Sequence, residues 1–309
     1  MANVKTCPAC KRMVEENAQW CPNCGANLTT AGAGQPPGPD QQPQGPGPQQ
    51  QQWQAPGAPQ PGPRDTSPQG VIREAVQMRT QTDEVLSELW AFIPLISMVI
   101  IFAVSGIMAL TITDYFLSLG ITMAVSIVAM VLIIILLYKL FNRNNLHSKR
   151  EAMMRIAIVD LLKRRAAEQG ASQMIAAQVQ TMESINYEAL NYEPERSAAV
   201  WAILPIIPIV GWIFMLIGLY YLTSYPPAHD RRWHAFTQQV QSAGSQLGIP
   251  VMLPSWRTLP ERSFIIYFIL TIVTFGFFMI YWFYVLVKDM NEHYMAQWQF
   301  EDQLMREIQ

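Results

Sequence analysis

The sequence predicts an all-α membrane protein with a small zinc ribbon at its N-terminus, carried on a disordered tether. Three observations predict it. Four apolar segments, at about residues 89–113, 115–138, 198–221 and 264–287, contain no charged side chain. All four cysteines fall in the first 24 residues, as two Cys-x-x-Cys pairs. Between them and the first apolar segment, residues 31–70 hold 11 of the 22 prolines, 11 glutamines and 8 glycines.

The ribbon comes first in the chain. Cys7, Cys10, Cys21 and Cys24 stand as two knuckles separated by ten residues. That spacing lets four thiolates surround one structural Zn²⁺ tetrahedrally. Disulfides or redox-active pairs are the alternatives. With four protein ligands the ion keeps no open position for catalysis. A unit over residues 1–30 has few apolar residues, so metal binding must supply its folding free energy. Residues 5–28 resemble the zinc-ribbon family found at the N-termini of many bacterial and archaeal proteins. Lys5, Lys11 and Arg12 form only a small basic patch, and the formal net charge is −2. A nucleic-acid binder would show a larger basic stripe with interleaved aromatics. The expected partner of the ribbon is therefore a protein. Residues 31–70 bury too little apolar surface to offset chain entropy, and act as a spacer.

Each of the four apolar segments is close to the roughly 20 residues that a helix needs to cross a bilayer. Residues 71–145 read as a helix leading into a tight transmembrane hairpin, turned at Asp114. Residues 146–195 read as basic amphipathic helices on the cytoplasmic side. Arg143, Lys149, Arg150, Arg155, Lys163, Arg164 and Arg165 are candidates to meet anionic lipid headgroups there. Met154, Ile158, Leu161 and Leu162 share one helix face, which would pack against another helix or lie on the membrane. Residues 196–309 supply two further membrane segments, an intervening loop and a C-terminal amphipathic helix.

Three places share a register: Tyr138-x-Leu140, Tyr220-x-Leu222 and Tyr284-x-Leu286, each with a histidine nine residues after the tyrosine, at His147, His229 and His293. This reads as a degenerate internal repeat of hydrophobic unit, aromatic exit and amphipathic arm. A histidine metal site is set aside at this level, for want of a carboxylate or thiol at ligand spacing. The repeat also opens a choice of topology. If the third and fourth segments each span once, residues 225–262 lie outside, and 17 of the 21 basic residues lie inside. If both dip in and return, all 21 lie inside. Segment length favours four spans, whereas Pro205–Gly211 and Thr274–Gly276 would suit re-entrant turns. Either way both chain termini are cytoplasmic, in a multi-pass protein of the cell membrane.

The stretch from Leu270 through Thr274-Phe-Gly276, Tyr281-Trp-Phe-Tyr284 and Lys288-Asp-Met-Asn291 resembles a prokaryotic multi-pass membrane family of unknown function. The family signature is a Thr-x-Gly step followed by Tyr-Trp-x-Tyr, and its members often carry an N-terminal zinc ribbon. The resemblance brings no activity with it.

Pumps and channels place ionisable groups inside the membrane, and these segments have none. No nucleophile triad, phosphate loop or paired catalytic carboxylates are visible. The sequence therefore points to a non-enzymatic scaffold or adaptor that binds membrane lipid and, through the ribbon, a protein partner. Membrane shaping by hairpins and amphipathic arms is the alternative, and transport of a small neutral solute the third.

Overall fold

The computed structural model describes residues 4–6, 13–15, 65–112, 114–253 and 257–308. It divides into two units, Met1–Gln60 and Pro61–Gln309. In the first, strands β1 (Val4–Thr6) and β2 (Met13–Glu15) pair antiparallel, Thr6 opposite Met13. The chain carrying Cys7 and Cys10 joins them. The four cysteines and the tether lie outside the described residues.

Apart from two short 3-10 turns, the described elements of the second unit are helices: α1 (Pro68–Thr82), α2 (Ile93–Thr111), α3 (Tyr115–Glu168), α4 (Ala176–Tyr192), α5 (Ala198–Ile203), α6 (Gly211–Gln246), α7 (Phe264–Val273) and α8 (Phe278–Ile308). α2 and α3 form the expected hairpin. Asp114, the one charged residue between Leu89 and Tyr138, is the N-cap of α3, accepting from the amides of Phe116 and Leu117. Glu88–Thr111 and Tyr115–Glu168 are long and apolar enough to cross a membrane, and only 6% and 11% of their most apolar windows are buried in the protein. That exposure separates them from the core helices of a soluble domain. α3 continues without a break past residue 145, for 54 residues or about 80 Å. One helix thus runs across the boundary expected there.

The third and fourth segments do not run as single helices, against the preferred reading of four spans. After α5 a 3-10 turn at Leu204–Ile206 leads to Ile209 at φ 70°, and α6 starts at Gly211. Between α7 and α8 the chain turns through Phe275 at φ 51° and Gly276 at φ 92°. In each case the chain returns beside its own entry. Arg196 lies over the Tyr221 ring at 4.0 Å, and Arg262 Nη2 donates to Asp289 Oδ1 at 2.7 Å. Residues 225–262 meet the body rather than standing on a far side: Arg232 pairs with Glu193, and Gln178 donates to Ser242. Length alone suggested single spans, but a left-handed turn breaks each apolar run partway, with Pro205 and Pro208 beside it in the third segment and Gly276 in the fourth.

These turns are tight. A Cβ at Gly211 would lie 2.2 Å from the Pro205 carbonyl oxygen. Gly211→Ala should therefore cost about 1–3 kcal/mol by overpacking. Thermal unfolding in detergent would show a midpoint several degrees lower, and an unchanged midpoint would count against the close turn.

Beyond the hairpins α3, α6 and α8 pack with heptad spacing. Leu140, His147 and Met154 are seven apart on α3; Leu222, His229 and Phe236 on α6; Leu286, His293 and Phe300 on α8. All nine are at most 3% exposed. A histidine layer thus lies between two apolar cores. One contains Leu137, Leu219 and Trp282, and the other Ile158, Trp233 and Val240. Met154, Ile158, Leu161 and Leu162 belong to the second core, so their shared face serves helix packing and not the membrane surface.

Candidate metal centre

The three repeat-equivalent histidines meet. Their ring centroids form a nearly equilateral triangle with edges of 5.1, 5.1 and 4.9 Å, and the rings stand 68–84° to one another. His147 Nε2 lies 3.1 Å from His229 Nε2 and 3.2 Å from His293 Nε2. Glu151 follows His147 by four residues, and so shares its face of α3. Its Oε2 lies 2.8 Å from His229 Nε2 and 3.3 Å from His147 Nε2, yet makes no hydrogen bond of proper geometry. All four side chains are buried.

The opposite ring nitrogens explain this crowding. His147 Nδ1 faces Asp83 Oδ1 at 3.0 Å, His229 Nδ1 faces Glu193 Oε2 at 2.9 Å, and His293 Nδ1 faces Asp230 Oδ1 at 2.8 Å. A carboxylate there holds a proton on Nδ1 and turns Nε2 toward the centre. Ring nitrogens and a carboxylate oxygen this close together call for a positive charge among them, either a proton on His229 or a metal ion. A tetrahedral ion with bonds of about 2.0–2.2 Å has donor–donor edges of about 3.3–3.6 Å. Three of the four separations above lie within a few tenths of an ångström of that range, and the Glu151–His229 edge is shorter.

The carboxylates are themselves held. Asp83 accepts from Arg150 Nη2 at 2.6 Å and Trp298 Nε1 at 2.8 Å. Glu193 accepts from Arg232 at 2.6 and 2.8 Å. Asp230 accepts from the Leu259 amide at 2.8 Å, and Arg155 pairs with Glu151. Tyr225 stacks on His229, ring centroids 5.0 Å apart.

The protonation preferences show strong coupling. Burial would lower His229, but the charges of Glu151 and Glu193 outweigh it and raise it to about 10. Burial lowers His293 to about 4, against its hydrogen bond to Asp230. Burial would raise Glu193 and Glu151. The charge of His229 instead holds Glu193 down at about 2 and, with Arg155, Glu151 well below the usual carboxylate range. The centre thus favours a positive charge among its carboxylates. A divalent ion supplies that charge with all four donor atoms in use.

Three histidines and one carboxylate suit Zn²⁺ or a neighbouring first-row ion. A cavity of about 140 Å³ is lined by Glu193 and Tyr225, which adjoin His229 Nδ1, and by none of the four donors. The reason for setting a histidine site aside, the want of a carboxylate, does not hold, since Glu151 stands within reach of the rings. Glu151 stood four residues from His147, a ligand spacing on a helix, and the threefold register was the signal.

The same centre claims part of the basic run expected at lipid headgroups. Arg143, Arg150 and Arg155 are at most 2% exposed. Arg143 donates to the Leu286 and Val287 carbonyls and to Asn291, and Arg150 joins Asp83 to Glu301. Arg143 and Arg150 read as surface charges in the sequence because their partners lie far along the chain, whereas Arg155 has its partner one turn away at Glu151. Lys149, Lys163, Arg164 and Arg165 are exposed or nearly so. Lys149 pairs with Glu195, Lys163 with Glu183 and Arg165 with Glu168. Cys7, Cys10, Cys21 and Cys24 lie outside the described residues.

Residues 262–299 match a family model described as a domain of unknown function (DUF4234). The DUF4234-like segment contains the Thr-x-Gly and Tyr-Trp-x-Tyr stretch and supports the resemblance read there. It spans one complete repeat unit, from Arg262 at the hairpin mouth through α7 and its turn to His293. No curated protein and no solved structure matches the chain. The family match does not extend to residues 5–28, where a zinc ribbon is expected.

Proposed function

We propose that this protein is a membrane-anchored, non-enzymatic scaffold whose helical body is locked by one transition-metal ion. The convergence of His147, Glu151, His229 and His293 carries the reading. Four protein donors complete a tetrahedral shell, and their burial leaves no position for substrate, which favours a structural ion over a catalytic one. The two apolar helices provide the anchor. The density of basic residues around the body supports a cytoplasmic location for it and for both termini.

The doubled Cys-x-x-Cys at the N-terminus supports a second, separate zinc site on an arm that captures a protein partner. Full-length protein purified in detergent should contain two equivalents of zinc. Cys21→Ser should remove one and leave the membrane part inserted. His229→Ala combined with His293→Ala should remove the other. A single equivalent that disappears with Cys21→Ser would refute the buried centre. Affinity capture with the full chain, compared with Cys21→Ser, tests the adaptor role. Identical captured proteins would leave the ribbon without that role.

A further inference from the structure

We propose that the α5–α6 and α7–α8 hairpins are half-depth wedges, seated among the acyl chains of the one leaflet that faces the helical body. This rests on the hairpins alone and not on the metal.

The mouths come first. Arg262 and Asp289 close one and Arg196 with Tyr221 the other. Asn145 on α3 exchanges hydrogen bonds with the backbone of Arg196. The mouth of the long hairpin is tied in too: Asn291 of α8 both donates to the Leu86 carbonyl and accepts from its amide. The three units therefore enter and leave at one level.

Depth follows from length. α7 has ten residues, a rise of about 15 Å. α5 with its 3-10 turn has nine, a rise of about 14 Å if helical throughout. Each is about half of the ~30 Å hydrocarbon thickness. α2, with nineteen, rises about 29 Å and crosses.

The tips are built for hydrocarbon. Ile209 and Phe275 are each 90% exposed, and Trp212 is 63% exposed. An irregular turn in lipid is costly unless its backbone polar groups find partners within the protein. Here they largely do. Gly211 donates to the Ile207 carbonyl and Val210 to that of Pro208. Gly276 donates to the Thr271 carbonyl and Phe277 to that of Thr274, while the Phe278 amide reaches Thr274 Oγ1 at 2.9 Å. Every residue of 198–221 and 264–287 is uncharged. Acyl chains of one leaflet are the occupant that such a short, fully apolar tip with a largely bonded backbone requires.

The leaflet at the body then holds six helix sections and the opposite leaflet two. Four extra sections about 10 Å across add roughly 300 Å² to one side only. The protein should expand that leaflet and favour its convex curvature.

The test uses the full chain in sealed vesicles of known orientation. Single cysteines replace the exposed Tyr115, Ser245, Ile209 and Phe275, and a membrane-impermeant maleimide is applied to either side. Labelling is read by peptide mass spectrometry, so the native cysteines do not interfere. Tyr115→Cys should label from one side only and Ser245→Cys from the other only. Ile209→Cys and Phe275→Cys should label from neither side until detergent is added. Nitroxide lipids should broaden a spin label at either tip as at mid-membrane. Labelling of a tip from the Tyr115 side, or of Ser245→Cys from that side, would overturn the proposal. So would a tip that crosslinks in full to a second copy, since a neighbouring chain and not lipid would then cover it.

Discussion

Purified His293→Ala should have lost the buried metal and unfold at least 8 °C below the parent. His293 supplies one of four donors, and its removal also leaves Asp230 facing an empty space. A ligand present at about a thousand times its Kd stabilises the folded state by about 4 kcal/mol. For a body of 150–250 residues that corresponds to a midpoint shift of about 8–16 °C. Chelation of the parent should produce a similar fall, and chelation of the variant almost none. That comparison separates lost metal from lost packing. A variant that still responds to chelator, after allowing for the ribbon with Cys21→Ser, would show that His293 is not a ligand. His147→Ala and His229→Ala should behave alike, because the three rings occupy equivalent corners of one triangle.

Asp83→Asn should weaken metal binding by about 10–100-fold, the usual effect of removing the partner that orients a ligand histidine. It should also destabilise the protein further, since Arg150 would keep only Glu301 as a charged partner in a buried site. Breaking a buried ion pair costs about 3–5 kcal/mol. The two effects can be separated with Glu301→Gln. Burial, only partly offset by Arg150, pushes Glu301 up to about 7, whereas the charges of His147 and Arg150 outweigh burial and lower Asp83. Asp83 is therefore the ionised partner of Arg150 near neutral pH. Glu301→Gln should cost less stability and leave metal affinity unchanged. Equal loss of affinity in both variants would mean that the network acts as one block and not through the Asp83–His147 contact.

The helical class, the first hairpin and the repeat were legible in the sequence, because each rests on local pattern. Absence of charge over some 24 residues marks an apolar helix wherever it lies. Tyr, Leu and His recurring in one register marks equivalent positions on three helices. What sequence could not supply was the direction of return at Ile209 and Phe275. An apolar run of 24 residues satisfies both a span and a half-depth hairpin, and only the left-handed turns decide. The fate of the basic run was hidden for a related reason. Arg143 and Arg150 look like cytoplasmic surface charges until Leu286, Asp83 and Glu301, from both ends of the bundle, are brought against them. Glu151 was visible, but a lone glutamate four residues after a histidine gains meaning only when two more histidines arrive from distant helices.

Near-threefold packing raises a question of handedness. Three similar arms around an axis can be arranged in two circular orders, and the repeated Leu, His and apolar layers fit both almost equally well. A bundle specified by those layers alone would be a mixture of mirror-ordered forms. The contacts that break the symmetry choose between them. Trp298 reaches Asp83 and the Leu259 amide reaches Asp230, contacts without a counterpart among the described residues of the other two arms, whereas Arg232 holds Glu193 much as Arg150 holds Asp83. Glu151 shares its layer with Trp233 and Gln297, all three fully buried, so only one arm brings a carboxylate to the axis. The unequal residues around an otherwise repetitive core thus select a single isomer of the bundle.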